Sequence, residues 1–296
     1  MKNENEPIMA AIRPSILAVM ALFIMGARTE SAATMISAFY LDIGASTSVG
    51  VQPTAAVPSG QPTNHGYANY LVALEAAKGV MLQLNQIGCP GESTTGMLDG
   101  DGHCYRSPST QLAKAVSFLR AHRGERGLVT VDLGFNDVVP CLKTGAATPA
   151  CMDQRLALVR RQLPRILNSL KASAGPNVRF VGVGHYDPFL ADSLSGAAGK
   201  TAAARSLSAI NSLNQALSSA YKAYAMPVAD VAGTFKSQDR TPVALAGAGT
   251  VPENVAEVCA MTWMCHSPPL GPNLHPNDVG YLAIAGAIAA EIPSRW

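Results

Sequence analysis

The sequence carries little charge and no excess of either sign. Only 14% of its 296 residues are charged, and 22 Lys and Arg against 20 Asp and Glu give a formal net charge of +2. Binding of nucleic acid or of acidic lipid needs clustered positive charge. We therefore expect no nucleic-acid partner, and a small molecule is the expected substrate.

Apolar runs long enough to cross a membrane are also missing. Residues 16–25 (ILAVMALFIM) form a run of about half the length that a membrane-spanning helix needs. The run follows Lys2 and Arg13 and precedes small residues at 31–33, which is the order of a secretory signal peptide. We expect residues 1–33 to be that signal peptide and residues 34–296 to form one domain, a monomer that is secreted or associated with the cell envelope, with no stable membrane span.

Several catalytic motifs are absent from the sequence. It contains no G-x-S-x-G, H-E-x-x-H, G-x-x-x-x-G-K-[ST] or G-x-G-x-x-G, which argues against a serine-elbow hydrolase, a zinc protease, a phosphate loop and a dinucleotide site. No C-x-x-C pair occurs either, so a structural zinc and a thioredoxin-like site have little support. We expect no cofactor and no metal.

Six cysteines are present, and their spacing suggests three local loops. The simplest connectivity pairs each cysteine with its neighbour in the chain. Disulfides persist in oxidising compartments, which agrees with export. The expected pairs are Cys89 with Cys104, Cys141 with Cys151 and Cys259 with Cys265.

Short apolar runs alternate with longer stretches of helical period. This alternation predicts βαβ units and a three-layer α/β/α sandwich with a mainly parallel five-stranded sheet. Ligands bind such sheets beyond the carboxyl ends of the strands. The expected strands are residues 38–43, 80–86, 128–133, 178–183 and 226–231, and the expected helices are residues 67–77, 108–121, 153–172, 203–224 and 279–292.

Four polar segments lie at strand ends or helix starts, where catalytic groups are expected. Ser46 follows the first strand and is a candidate nucleophile, and Gly91 follows the second and can present its backbone N–H to an oxyanion. Asn136 follows the third strand, and we expect its amide to donate to the oxyanion while a neighbour holds its oxygen. His275 precedes the last helix and can act as a base at neutral pH.

In this order, the segments resemble the signature blocks of the SGNH (GDSL) hydrolase superfamily. Residues 85–92, 258–265 and 275–281 look especially like those of secreted actinobacterial esterases with three local disulfides. The resemblance implies Ser46 as nucleophile and first oxyanion donor, Gly91 and Asn136 as further donors, and His275 as base.

Two departures from the family pattern concern the groups around these residues. Ala45 and Thr47 flank Ser46 where the family has Asp and Leu. Pro272 and Asn273 occupy the positions where the family usually places an Asp that orients the catalytic His. We expect a Ser-His dyad in which a backbone carbonyl near Asn273 orients His275; the alternative is that Asn273 is itself a site residue and orients the ring through its side-chain oxygen. Weaker candidates for an acidic partner are Asp278 and Asp187.

The resulting hypothesis is a serine esterase that hydrolyses carboxylic esters of modest acyl chain length. Val49, Phe135, Val138 and Val139 are expected to line its cleft. One alternative is an acyltransferase or deacetylase that acts on cell-envelope glycans or lipids, and an added alcohol or sugar that diverts the acyl group would reveal it. Another is a catalytically inactive secreted binding protein, which a serine-directed fluorophosphonate probe would leave unlabelled.

Overall fold

A computed structural model describes residues 35–100, 103–143 and 148–293 of the chain. The expected signal peptide lies outside these residues. In chain order the elements are β1 Ile36–Gly44, α1 Tyr67–Ala77, β2 Val80–Gln86, α2 Thr94–Asp99, α3 Gln111–Ala121, β3 Gly127–Asp132, α4 Phe135–Lys143, α5 Pro149–Ser173, β4 Val178–Val183, a 3-10 helix Pro188–Ser195, α6 Gly196–Ala223, β5 Val228–Ala229, α7 Val231–Thr234, β6 Pro242–Leu245, β7 Gly249–Pro252, α8 Glu253–Met261 and α9 Asp278–Ala290.

The central sheet has the order β2-β1-β3-β4-β5, and every neighbouring pair in it is parallel. Helices α3, α5 and α6 contribute to the apolar core on one face, and α1 and α9 contribute to the core on the other. The expected three-layer sandwich with a parallel five-stranded sheet is therefore confirmed. The carboxyl ends of the strands meet at one edge, which brings the segments after β1, β2, β3 and β4 together.

Strand β1 illustrates why the sheet forms as it does. Successive side chains of a strand point to opposite faces, and a strand covered by helices on both faces is apolar throughout. Phe39, Leu41 and Ile43 pack in the core with α3, α5 and α6, whereas Ala38 and Tyr40 pack in the core with α1 and α9. Full burial of one such large apolar side chain contributes about 1.5–3 kcal/mol.

Some local expectations are wrong. No helix was expected directly after the third strand, yet α4 begins at Phe135 and contains Pro140. Strand β5 covers only Val228–Ala229 instead of residues 226–231, because Asp230 accepts a hydrogen bond from Gly233 N at 2.8 Å and begins α7. The hairpin of β6 and β7 and helix α8 were not anticipated.

Three disulfides join the expected cysteine pairs, 15, 10 and 6 residues apart in the chain. Several disulfides in one chain are typical of an extracellular protein. Within residues 35–100, 103–143 and 148–293, no helix combines the length and the apolar character needed to cross a bilayer.

Candidate active site

Ser46 lies in a tight turn directly after β1. The turn is closed by hydrogen bonds from Val51 N to Ser46 O at 3.0 Å and from Gly50 N to Thr47 O at 3.3 Å. Ser46 is partly exposed and lines a cleft at the carboxyl edge of the sheet. Other residues of this cleft are Ala45, Thr47, Phe135, Asn136, Tyr186 and Leu274.

A buried glutamine holds the end of β1. Gln111 Oε1 accepts from Gly44 N at 3.1 Å, and Gln111 Nε2 donates to Gly44 O at 3.0 Å. One side-chain amide thereby binds both the backbone N–H and the backbone C=O of Gly44, which lies two residues before Ser46. Gln111 is the first residue of α3, and the side chain of Thr110 caps that helix. Sequence analysis missed Gln111, because it belongs to none of the four segments.

The second segment is hydrogen-bonded to the first. Cys89 N donates to Gly44 O at 2.9 Å, and Glu92 N closes a turn on Cys89 O at 3.0 Å. Gly91 lies in this turn with φ +86°, a conformation that favours glycine. Gly91 is exposed and is not among the residues that line the cleft with Ser46.

Asn136 lies in the first turn of α4 and lines the cleft. Its Nδ2 donates to Glu92 O at 2.9 Å, which ties the third segment to the second. A neighbour thus holds the amide through its nitrogen, and the expected hold on the amide oxygen stays a prediction. An amide nitrogen carries two N–H groups, so the second can still donate to an oxyanion.

The Asn273 side chain orients the ring of His275. Its Oδ1 lies 2.7 Å from His275 Nδ1 and also accepts the His275 backbone N–H at 3.0 Å. Asn273 Nδ2 donates to Pro58 O at 3.0 Å. The expected backbone carbonyl is therefore replaced by a side-chain oxygen. Because Oδ1 can only accept, Nδ1 carries the proton and Nε2 of the neutral ring is left as the basic nitrogen.

The loop that holds His275 is paired with a disulfide loop. Trp263 N donates to His275 O at 3.1 Å, and Asn273 N donates to Trp263 O at 3.1 Å. Trp263 lies between Cys259 and Cys265, which are bonded to each other. These two hydrogen bonds hold the backbone on both sides of Leu274. Leu274 itself lines the Ser46 cleft.

The two weaker acidic candidates have other roles. Asp187 is fully buried, accepts from Phe189 N at 3.0 Å and from Ser206 Oγ at 2.7 Å, and caps the 3-10 helix. Asp278 is exposed and accepts from Gln52 Nε2 at 2.7 Å. Both carboxyl groups are thus used in local structure.

The expected acyl-side lining is corrected as well. Phe135 lines the cleft, whereas Val138 is fully buried in the core with α5, and Val49 is buried too. Neither Val49, Val138 nor Val139 is among the lining residues of the cleft. The cleft beside Ser46 is narrow, with a volume of about 20 Å³.

Two buried carboxyl groups lie behind the nucleophile turn, and sequence analysis missed both. Asp42 Oδ1 accepts from Tyr67 Oη at 2.9 Å and from Thr130 Oγ1 at 2.8 Å, while its buried Oδ2 has no hydrogen-bond partner among the described residues. Desolvation raises the pKa of Asp42 to about 7. Desolvation likewise raises the pKa of Asp132, which lines the cleft, to about 7.

His185 lines the cleft, whereas His275 is not among the lining residues and only its neighbour Leu274 is. Its Nε2 lies 3.0 Å from Leu133 O, and its Nδ1 lies 3.7 Å from Asp132 Oδ1. Burial lowers the pKa of His185 to about 4 by desolvation, so the ring is neutral near pH 7. When the neutral His185 ring donates from Nε2 to Leu133 O, its Nδ1 carries a lone pair that faces Asp132. This lone pair favours the protonated form of the Asp132 carboxyl group.

Solved structures with this fold include several hydrolases of low sequence identity. An extracellular lipase from Streptomyces rimosus has a TM-score of 0.54 at 20% identity, with 85% of this chain and 99% of that chain covered. A phospholipase A1 from Streptomyces albidoflavus NA297 has a TM-score of 0.56 at 18% identity, with coverage of 86% and 99%. An acetylxylan esterase from Geobacillus stearothermophilus has a TM-score of 0.51 at 14% identity, with coverage of 87% and 95%. These likenesses establish an SGNH hydrolase-like fold.

The family follows from the sequence itself. Residues 43–283 match the model of the GDSL-like Lipase/Acylhydrolase family, and the chain belongs to that family. It is thus a hydrolase of a family that acts on esters. The comparison with curated proteins gave no match.

Proposed function

We propose that the chain is a serine esterase that hydrolyses carboxylic esters with short acyl groups. Ser46 attacks the ester carbonyl, His275 Nε2 accepts the Ser46 proton and returns it to the leaving alcohol, and water then releases the acid. The observation that carries the proposal is the 2.7 Å contact of Asn273 Oδ1 with His275 Nδ1, because it leaves Nε2 as the base.

Stabilisation of the tetrahedral oxyanion is assigned to Ser46 N, Gly91 N and the second N–H of Asn136. The hydrogen bonds Cys89 N to Gly44 O and Asn136 Nδ2 to Glu92 O support this assignment, since they couple the three segments. All three donors are neutral N–H groups. Such donors suit a reaction in which negative charge on the carbonyl oxygen develops only in the transition state.

Acetyl and similarly short acyl groups are the proposed substrates. The small volume of the cleft, about 20 Å³, and its lining by Phe135 and Leu274 support short acyl groups. The same limit is compatible with deacetylation of a glycan, so the acceptor is tested separately. Added sugar or alcohol that captures the acyl group instead of water would identify a transferase.

The test is a panel of nitrophenyl esters of increasing acyl length with the full chain. Ser46→Ala and His275→Ala should each lower kcat by roughly 10³- to 10⁶-fold with an unchanged circular dichroism spectrum. The matched controls are Ser219→Ala, whose hydroxyl donates to Gln215 O on α6, and His65→Ala, whose exposed ring lies beside the exposed Asp278. Full activity of Ser46→Ala would contradict Ser46 as the nucleophile. No ester hydrolysis by the wild type, together with no labelling of Ser46 by a fluorophosphonate, would favour a binding protein.

We also propose that residues 1–33 are removed on export and that residues 34–296 are the mature enzyme. The disulfides support an oxidising destination. N-terminal sequencing of the exported protein would test the cleavage position.

A further inference from the structure

A second pocket lies between the 3-10 helix, α6, the β6–β7 hairpin and α8. It encloses about 330 Å³, and none of its residues also lines the Ser46 cleft. Small-molecule sites begin at roughly 300 Å³. The pocket is therefore large enough to hold a small-molecule ligand.

The inner walls of this pocket are apolar. Leu190, Leu207, Val251 and Val255 line it and are each buried, and Leu194 stands at its edge with 42% of its surface exposed. Leu190 and Leu207 belong to a small core cluster of their own, apart from the two cores that flank the sheet. These walls suit a hydrocarbon chain.

The outer rim of the pocket is positively charged. Lys200 of α6 and Arg240, just before β6, both line it and are both exposed, so their charges lie at the mouth. No Asp or Glu is among the lining residues, and neither cation forms an ion pair within the described part of the chain. Ser193 and Thr250, whose side chains carry hydroxyl groups that can donate, are also among the lining residues.

We propose that this pocket binds an aliphatic carboxylate, with the hydrocarbon chain against the apolar walls and the carboxylate between Lys200 and Arg240. An anionic head satisfies two cations that lack an anionic partner, whereas a neutral alcohol of the same length does not, and an alkylammonium ion is repelled. The apolar walls of this pocket, and not the small space beside Ser46, limit the length of the hydrocarbon chain that can bind.

Octanoate is the first probe, measured by titration calorimetry on full-length Ser46→Ala so that no turnover occurs. Saturable binding is expected, stronger than that of octanol. Each added methylene from butanoate upward should strengthen binding by up to about fourfold, which corresponds to about 0.8 kcal/mol per buried methylene, until the pocket is filled.

Paired substitutions on exposed positions test the location. Lys200→Gln with Arg240→Gln should weaken octanoate about tenfold and leave octanol within about twofold. Ala204→Trp fills the mouth and should abolish both. The matched controls on the same helix are Arg205→Gln and Ala202→Trp, which are exposed and do not line the pocket.

Several results would overturn the proposal. They are no saturable octanoate binding at millimolar concentration, equal affinity for octanoate and octanol, or unchanged binding in the Ala204→Trp protein. Loss of octanoate binding when Ser46 of the wild type is blocked with phenylmethylsulfonyl fluoride would place the acid in the catalytic cleft instead. Because binding is measured without hydrolysis, a failed esterase assay leaves this proposal standing.

Discussion

Asn273 Oδ1 lies 2.7 Å from His275 Nδ1, while Asn273 Nδ2 donates to Pro58 O at 3.0 Å. The two ends of an amide are hard to tell apart by shape, but a carbonyl oxygen can only accept, so Pro58 O identifies the nitrogen. The amide therefore offers its oxygen to the imidazole. An Asn that presented its nitrogen to Nδ1 would select the opposite tautomer and leave Nε2 unable to act as a base.

Asn273→Ala should lower kcat/KM by roughly 10²- to 10⁴-fold, because His275 loses both its orientation and the acceptor that fixes its tautomer. The assay is hydrolysis of nitrophenyl acetate. Asn211→Ala, which changes an exposed hydrogen bond with Gln238, is the matched control and should be neutral. Loss within about threefold for Asn273→Ala would show that another group orients the ring.

Asn273→Asp should not improve the enzyme. The carboxylate keeps an acceptor for Nδ1 but turns its second oxygen toward Pro58 O, where a donor is required. It also favours the protonated imidazolium, so the acidic limb of the pH-rate profile should move to higher pH. A gain of more than about tenfold on the plateau would instead identify the native site as an impaired triad.

Gln111 should act as a positioning residue for the nucleophile turn. Gln111→Met keeps the size of the side chain but removes both hydrogen bonds to Gly44, and it should lower kcat about 10- to 100-fold with a smaller effect on KM. Gln111→Glu keeps one acceptor and should restore part of the loss at acidic pH, where the acid can also donate. Equal loss of folding stability and activity, without this rescue, would indicate a purely structural role.

The difference in unfolding free energy between Asp42→Asn and wild type should shift in favour of the variant as pH rises. The folded-state pKa of Asp42 is raised to about 7, so the folded protein binds more protons than the unfolded chain between about pH 4 and 7. Wild-type stability from this group is therefore complete below pH 4 and is lost as pH rises to 7, by up to about 1.4 kcal/mol per pH unit. Asn still accepts from Tyr67 and Thr130. Urea unfolding at several pH values measures the difference, and a constant difference would refute it.

The sequence predicts best those helices and strands whose signals lie within a short stretch of chain. Residues 67–77, 80–86 and 178–183 have the predicted bounds, because their periodicity and their flanking turns lie within a short window. Strand ends then indicated where Ser46 and Asn136 would be found, and the start of the last helix indicated His275. Helix α4 was missed because Pro140 is common in loops and is tolerated here in a short helix.

Contacts between distant residues had no such signal. Gln111 is 67 residues from Gly44, and Asn273 is 215 residues from Pro58. Amides and backbone carbonyls are everywhere in a sequence, so nothing marks which of them will meet. The buried Asp42 reads as an ordinary strand-end polar residue until Tyr67 and Thr130 are brought to it.

The long loop at residues 51–64 does more than connect β1 to α1. It supplies Pro58 O, the carbonyl oxygen that accepts a hydrogen bond from the Asn273 amide. Its length would ordinarily mark it as a segment that tolerates deletion and peptidase cleavage. Here a cut or a shortened loop should leave the sheet and both cores intact while it disables a histidine at the other end of the chain. Peptidases that nick this loop could therefore silence the enzyme without unfolding it.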